Sequence, residues 1–184
     1  MEVDRLLIRR MFSEDVDVFR RIRLEALRKE PASFASHVED WEKRSNEEWR
    51  QRLNDPVFVA IDQGQPVGIM GLLRYRPRKM RHRAELVMVY IRGSFRGTGL
   101  ARNLLDAVLD FARKEGVAQI ELSVSAENPA ALRFYRQHGF LEIGCNPSGF
   151  LDDGREIAEI RMMSLLGGQS THVRCADGHE NFSD

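Results

Sequence analysis

The sequence predicts a single α/β domain on a mixed sheet, and three features carry that prediction. "VFVAID" (residues 57 to 62) and "PVGIMGLLRYR" are joined through "QGQ" and have the alternation and turn of an antiparallel hairpin. "AELVMVYI" (84 to 91), a glycine-rich junction, a long amphipathic helix and "AQIELSVS" follow in order. Strand–helix–strand with a helix of this length implies a parallel pair with a right-handed crossover. The chain has 184 residues, which favours one domain or one domain with a tail. A chain this long buries about two-thirds of its unfolded surface, so no disulfide or metal is needed to hold it.

Taken in order, "RLLIRRM" reads as a first strand. From Ser13, the residues Val16, Phe19, Ile22, Ala26 and Leu27 recur at helical spacing, and Pro31 stops the helix. A less regular stretch leads to "SNEEWRQRL", where Ser45 and Glu48 have the spacing of a capping box and Trp49 and Leu53 take the buried side. After the hairpin and the third strand, the helix beyond Gly99 puts Leu100, Leu104, Val108, Leu109 and Ala112 on one face. Gly116 ends it as a left-handed cap. Asn128 and Pro129 form a cap and a first-turn proline for "PAALRFYRQH", which ends at Gly139. "GFLEIG" and "EIAEIRMMSLL" close the domain as strands joined through a loop, "NPSGFLDDG". The domain is expected to span residues 1 to 166, and the remainder, without apolar period, reads as a disordered tail.

Hydrophobic content of 42% and charged content of 30% describe an ordinary globular protein. A formal net charge of zero supplies no global attraction to nucleic acid or an anionic membrane. The charge-interrupted start is not a signal peptide, and no stretch has the apolar length of a membrane span. Two cysteines, Cys145 and Cys175, make no disulfide framework, and a reducing cytoplasm is the default expectation.

The junction "FRGTGLA" asks why Arg96, Gly97, Thr98 and Gly99 stand where a turn needs one glycine. A strand, a glycine-rich turn and a helix N-terminus together form an anion site: the first helical N–H groups are unpartnered and the macrodipole is positive there. Without Cβ atoms at Gly97 and Gly99 a pyrophosphate can approach the backbone, and Arg96 adds charge. The competing reading is a flexible turn. A Walker loop requires Gly-Lys-Ser/Thr, which is absent. A dinucleotide fingerprint would place its third glycine at Arg102, and would open the domain rather than follow a hairpin.

These residues resemble the acyl-CoA N-acyltransferases of the GNAT superfamily. "RGTGLA" is similar to that family's Arg/Gln-x-x-Gly-x-Gly/Ala signature, with Arg96, Gly99 and Ala101 on the fixed positions. "AELVMVYI" resembles the strand before the signature, and "NPAALRFYRQHGF" its Asn-x-x-Ala-x-x-Phe-Tyr helix. The likeness covers roughly residues 3 to 166. It implies a mixed, mostly antiparallel sheet, flanked by helices, whose central parallel pair splays between "VMVYI" and "IELSV". It also implies acetyl-CoA as co-substrate, with pantetheine pairing near Val89 and Ile91 and pyrophosphate on the amides of Arg96, Gly97, Thr98, Gly99, Leu100, Ala101 and Arg102. No metal is implied.

Acetyl transfer to an amine needs a proton acceptor, donors for the developing oxyanion, and a proton for the leaving thiolate unless it departs as the anion. Tyr135 lies seven residues after Asn128, two turns on and on the same helical face, and the matching family tyrosine is the acid. Its alternative is a core aromatic. Glu85, at even spacing from Val89 and Ile91, is expected on their face of the strand and is the candidate base. Its alternative is a polar residue facing solvent or a helix flank. Asn128 is a helix cap, and the resemblance also places it near the pantetheine arm.

Other signals weigh less. "RYRPRKMRHR" (74 to 83), with six basic side chains, is a solvated hairpin tip before it is a phosphate site. "VEDWEKRSNEEW" is an exposed helix face with internal ion pairs. His172, Cys175 and His179 have loose metal-like spacing and make a poor site in such a tail. The expectation is therefore an N-acetyltransferase acting on a primary amine in a ternary complex, monomer or homodimer. The rival of another class is a non-catalytic acyl-CoA-binding sensor, which would have no use for Tyr135, and a longer acyl group is a further alternative.

Overall fold

The computed structural model describes residues 6–167. One seven-stranded sheet runs through them in the order β1-β2-β3-β4-β5-β7-β6. The strands are β1 (Leu7–Met11), β2 (Val57–Asp62), β3 (Gln65–Arg74), β4 (Arg83–Ile91), β5 (Gln119–Ser125), β6 (Leu141–Asp152) and β7 (Arg155–Leu165). Every neighbouring pair is antiparallel except β4 and β5, which are parallel. The helices are α1 (Val16–Lys29), α2 (Val38–Glu42), α3 (Asn46–Arg52), α4 (Leu100–Lys114) and α5 (Pro129–Gln137).

The sheet is buried on both faces at its centre, which explains the nearly continuous apolar runs of β2 and β3. Phe58, Ala60, Met70, Leu72, Ala84 and Leu86 face α4 and α5. Val57, Val59 and Ile69 face α1 and the tryptophans of α2 and α3. Helix α4 buries the five predicted residues and Leu105 as well. Helix α1 buries its predicted stripe and also Arg23. Ser13–Asp15 form a 3-10 turn ahead of it, so the α-helix itself starts at Val16. The capping box at Ser45 and Glu48 is made as predicted: the Glu48 carboxylate accepts from Ser45 N–H at 2.8 Å, and Ser45 Oγ accepts from Glu48 N–H at 3.3 Å.

The closing hairpin differs from the expected loop. Strand β6 continues through "NPSGFLD" to Asp152, and the reversal is a tight turn at Asp153 and Gly154, with φ of 48° and 80°. A register shift between Asn146 and Phe150 takes up the extra residues. An edge strand tolerates Pro147 there because an outward position needs no N–H. Gly149 fits the bulge because a Cβ would overlap that of Glu159.

Candidate active site

The site begins with a β-bulge in β4. Ile69 pairs with Tyr90 and Gly71 with Val87, so Met88 and Val89 together oppose the single residue Met70. Met88 takes up the kink at φ 55°, and a Cβ on Gly71 would come 2.5 Å from its Cε. The bulge breaks the alternation on which Glu85 was placed. Ala84, Leu86 and Ile91 join the α4 side, whereas Tyr90 joins the α1 side. Glu85 therefore lies on the face opposite Ile91, a correction to the even-spacing argument.

The parallel ladder stops at the same place. Strands β4 and β5 pair only at Arg83–Gln119, Ala84–Ile120 and Glu85–Glu121, although both continue. Beyond Glu85 they part, as the splayed sheet required. A cavity of about 430 Å³ fills the gap, lined by Leu86 to Ile91 on one side and Leu122 to Ser125 on the other. Arg96, Gly97, Ala101, Asn128 and Tyr135 also line it.

At the mouth, Gly97 and Gly99 have φ of 77° and 88°, and a Cβ on either would meet nothing within 4 Å. Backbone conformation, not packing, calls for glycine here. Among the described residues no backbone carbonyl accepts from the N–H groups of Gly97 through Arg102; the first helical bond runs from Asn103 to Gly99. Those unpartnered donors stand at the positive end of α4, the place where the sequence reading puts an anion site. The side chains divide. Leu100 is buried in the core, Thr98 Oγ1 donates to Phe95 O at 2.8 Å, and Arg102 pairs with Asp106 along the helix. Arg96 Nε donates to Ile91 O at 3.2 Å and its Nη2 pairs with Glu30, so its charge is partly met within the fold and that carbonyl is already engaged.

Asn128 does cap α5, its Oδ1 accepting from Ala131 N–H at 3.0 Å, and it also lines the cavity. Two turns later Tyr135 packs edge-on against Phe134 and Phe140 and still lines the cavity. Tyr135 is packed as the core-aromatic reading has it and also lines the cavity from which an acid would act. Burial alone pushes its hydroxyl above the usual tyrosine range, so it stays protonated.

Glu85 is half-buried and does not line the cavity; it stands one position below the point where the strands part. Burial pushes its carboxyl up, against the pull of Arg161 and with help from Glu121 and Glu159. Its neighbour in the ladder, Glu121, goes the other way: the hydrogen bond from Arg83 holds it below the usual carboxylate range. Two adjacent carboxyls with opposite shifts are an arrangement in which one is fixed as an anion and the other exchanges protons.

The far wall is tied to α1. Arg92 donates to both Glu25 oxygens at 2.8 and 2.7 Å, and the Tyr90 hydroxyl donates to Glu25 at 3.1 Å. Glu30, Ser33 and Phe34 also reach the cavity, from the 3-10 turn at Pro31–Ser33 and the residues that flank it. No motif marks them. The run 74 to 83 contributes nothing to the cavity; it holds a 3-10 turn at Arg78–Met80, with Arg74 paired to Glu115. His172, Cys175 and His179 lie outside the described residues, as does the expected tail of residues 167 to 184 apart from Gly167.

Residues 21–140 match the sequence profile of the Acetyltransferase (GNAT) family. An uncharacterized N-acetyltransferase of Methanocaldococcus jannaschii is 28% identical over 156 residues, 77% of this chain and 65% of that protein. The chain thus spans less than two-thirds of that relative's length. A solved ribosomal-protein-alanine N-acetyltransferase from Brucella melitensis is 29% identical, with a TM-score of 0.69 over 87% of this chain and 99% of its own. An acetyltransferase from Salmonella typhimurium, solved with acetyl-CoA, shares the fold at 22% identity and a TM-score of 0.73, over 93% of this chain and 99% of its own.

Proposed function

The chain belongs to the acetyltransferase (GNAT) family, and we propose that it transfers an acetyl group from acetyl-CoA to a primary amine. One observation carries the reading: an unpaired strand notch opens onto six consecutive unpartnered amides, Gly97 to Arg102, at the start of a long helix. The fit to acetyl-CoA rests on chemistry. The amides suit a pyrophosphate, the free strand edges suit an amide-bearing arm, and the acetyltransferase of Salmonella typhimurium was solved with that compound.

Acetyl-CoA supplies the acyl group already activated as a thioester. The chain's part is to orient it and to move two protons. Glu85, its pKa raised by burial, accepts the proton of the incoming amine through a water, since its carboxyl stands just outside the cavity lining. The new carbon–nitrogen bond replaces the carbon–sulfur bond. Free N–H groups on the β4 edge stabilise the charge that develops on oxygen. Tyr135, kept protonated by burial, donates its proton to the departing sulfur. Isothermal titration and thiol release test this together: micromolar acetyl-CoA binding with amine-dependent release of coenzyme A is expected. Stabilisation by ATP but not by acetyl-CoA would overturn it.

A further inference from the structure

From Gln63 to Ala84 the chain carries no aspartate or glutamate, and the stretch from Arg74 to Arg83 holds six basic side chains. Strand pairing in the β3–β4 hairpin ends at Arg74–Ala84, with one further bond from Tyr75 N–H to Arg83 O at 3.3 Å. Beyond it the loop is compact. Met80 N–H donates to Pro77 O at 2.8 Å across the 3-10 turn, and His82 O accepts from Ala118 and Gln119 N–H at 2.8 and 3.0 Å. Those bonds seat the loop beside the connection from α4 to β5, where Lys114 is also exposed.

The charges of this pole divide in two. Arg74 pairs with Glu115, and Arg83 with the buried Glu121. Arg76, Arg78, Lys79, Arg81 and Lys114 are exposed and take part in no ion pair among the described residues. These uncompensated cations gather at one end of a chain whose formal net charge is zero, so the attraction they exert is local. They stand apart from the cleft: β4 runs from Arg83 to Ile91, roughly 26 Å, before the chain reaches the glycine junction.

Three properties of the loop select a partner. Arginines outnumber lysine in it, and their planar forks bind phosphate through two-point contacts. It presents no free Phe, Tyr or Trp, because the Tyr75 ring lies 5.0 Å from the Arg83 guanidinium and its hydroxyl donates to Glu121 at 3.4 Å. A protein partner calls for an apolar or aromatic anchor at the centre of the contact, whereas a nucleic-acid backbone is held by charge alone. The loop is also neither a helix nor a two-stranded ribbon, the elements that enter the major groove of B-DNA. The wide, shallow minor groove of an A-form duplex is recognised by shape and phosphate contacts and accepts such a surface. We propose that the β3–β4 loop, together with Lys114, is a docking surface for duplex RNA, which it holds through the phosphates without reading the bases.

The test is fluorescence anisotropy of a labelled RNA duplex of about 20 base pairs with the full chain, over a salt series. Binding at about 10–100 μM is expected near physiological salt, with a slope of log affinity against log salt of about −4, close to one per phosphate neutralised. Arg78→Gln/Arg81→Gln should make that slope shallower by about two and weaken binding about tenfold or more at low salt. Arg21→Gln/Arg50→Gln removes two exposed cations from α1 and α3 and should leave affinity within about twofold. Circular dichroism should show both variants folded, since all four side chains are exposed. Absence of RNA binding at about 50 mM salt, equal losses in the two double variants, or equally tight binding of a DNA duplex of the same sequence would overturn the proposal. Displacement by polyglutamate as effective as that by unlabelled RNA of equal charge would also overturn it, and would give the surface to an acidic protein.

Discussion

Replacing Tyr135 by phenylalanine deletes one oxygen and leaves the packing of the site in place. The ring is 5% exposed and held edge-on by Phe134 at 5.3 Å and Phe140 at 5.4 Å, contacts that a phenylalanine ring keeps. Stability should therefore change by less than about 1 kcal/mol, the scale of a single net hydrogen bond. The catalytic loss should be far larger. Losing a positioned proton donor lowers the rate by about 10²–10⁴-fold, or about 2.7–5.4 kcal/mol in the barrier. Coenzyme affinity should stay within a few-fold, because the ring still fills its part of the cleft. Since burial raises the hydroxyl pKa, the wild-type rate should not fall through loss of this proton until well above the ordinary tyrosine value of about 10. Steady-state kinetics, with urea melts and calorimetry on the same variant, give all of these quantities. A phenylalanine variant that turns over at the wild-type rate would remove Tyr135 from the chemistry and favour unassisted departure of the thiolate.

Gly99→Val places a branched residue at φ 88°, which costs roughly 1–2 kcal/mol in backbone strain although nothing lies near the new side chain. Circular dichroism should show a folded protein and calorimetry at least about tenfold weaker acetyl-CoA binding, the scale of a misplaced anion contact; normal binding would reduce the junction to a turn. Glu85→Gln should slow turnover by about 10²-fold and abolish the acidic limb of the rate profile. That limb in the wild type should lie above the ordinary glutamate value of about 4.3, because burial raises this carboxyl and only its ionised form accepts a proton. The stability linkage has the matching sign: the contribution of Glu85 is full below the unfolded pKa and is lost as pH rises through the folded one, so the glutamine variant should be relatively more stable at neutral pH. Gly149→Ala should cost about 1–3 kcal/mol in a urea melt, since its Cβ would overlap Glu159 and approach that residue's backbone nitrogen to 3.1 Å; an unmoved midpoint would mean the bulge relaxes freely.

Much of this architecture was legible because it rests on local rules. The hairpin, the stripes of α1 and α4, the two caps and the glycine junction each follow from residues within a few positions of one another, and all recur in the structure. The parallel pair was legible through the handedness of its connection. What escaped depends on partners distant in sequence. Glu85 was assigned a face by counting in twos, and a bulge whose evidence lies across the strand, at Gly71, reversed the count. Phe34 and Glu30 carry no periodicity or motif, and only the packing of their turn against the end of β5 brings them to the cleft. Arg23 sits on the apolar stripe of α1 as an apparent exception, and its reason is a stack on rings eleven and eighteen positions away.

The bulge also explains why the notch opens where it does. A regular β4 would keep its β5-facing groups in register, and nothing in the apolar strands would prevent the ladder from continuing past Glu85. Inserting one residue at Met88 increases local twist and turns the strand away from its neighbour. Strand β3 has to yield on the other side, and it does so with glycines. A Cβ on Gly71 would meet Met88 and would lie 3.1 Å from Val87 Cγ2, while one on Gly68 would come 2.8 Å from Ile91 Cδ1. Tyr90, just beyond the bulge, is then fastened to α1 through Glu25, and Arg92 binds the same carboxylate. The separated strand is held at both ends of its departure, by the last ladder pair at Glu85 and by this carboxylate. The cavity is thus built by covalent geometry and packing before any ligand enters, and the free strand edges, costly to leave unpaired in a buried sheet, are retained where, on the proposed reading, an amide-bearing ligand would pair with them.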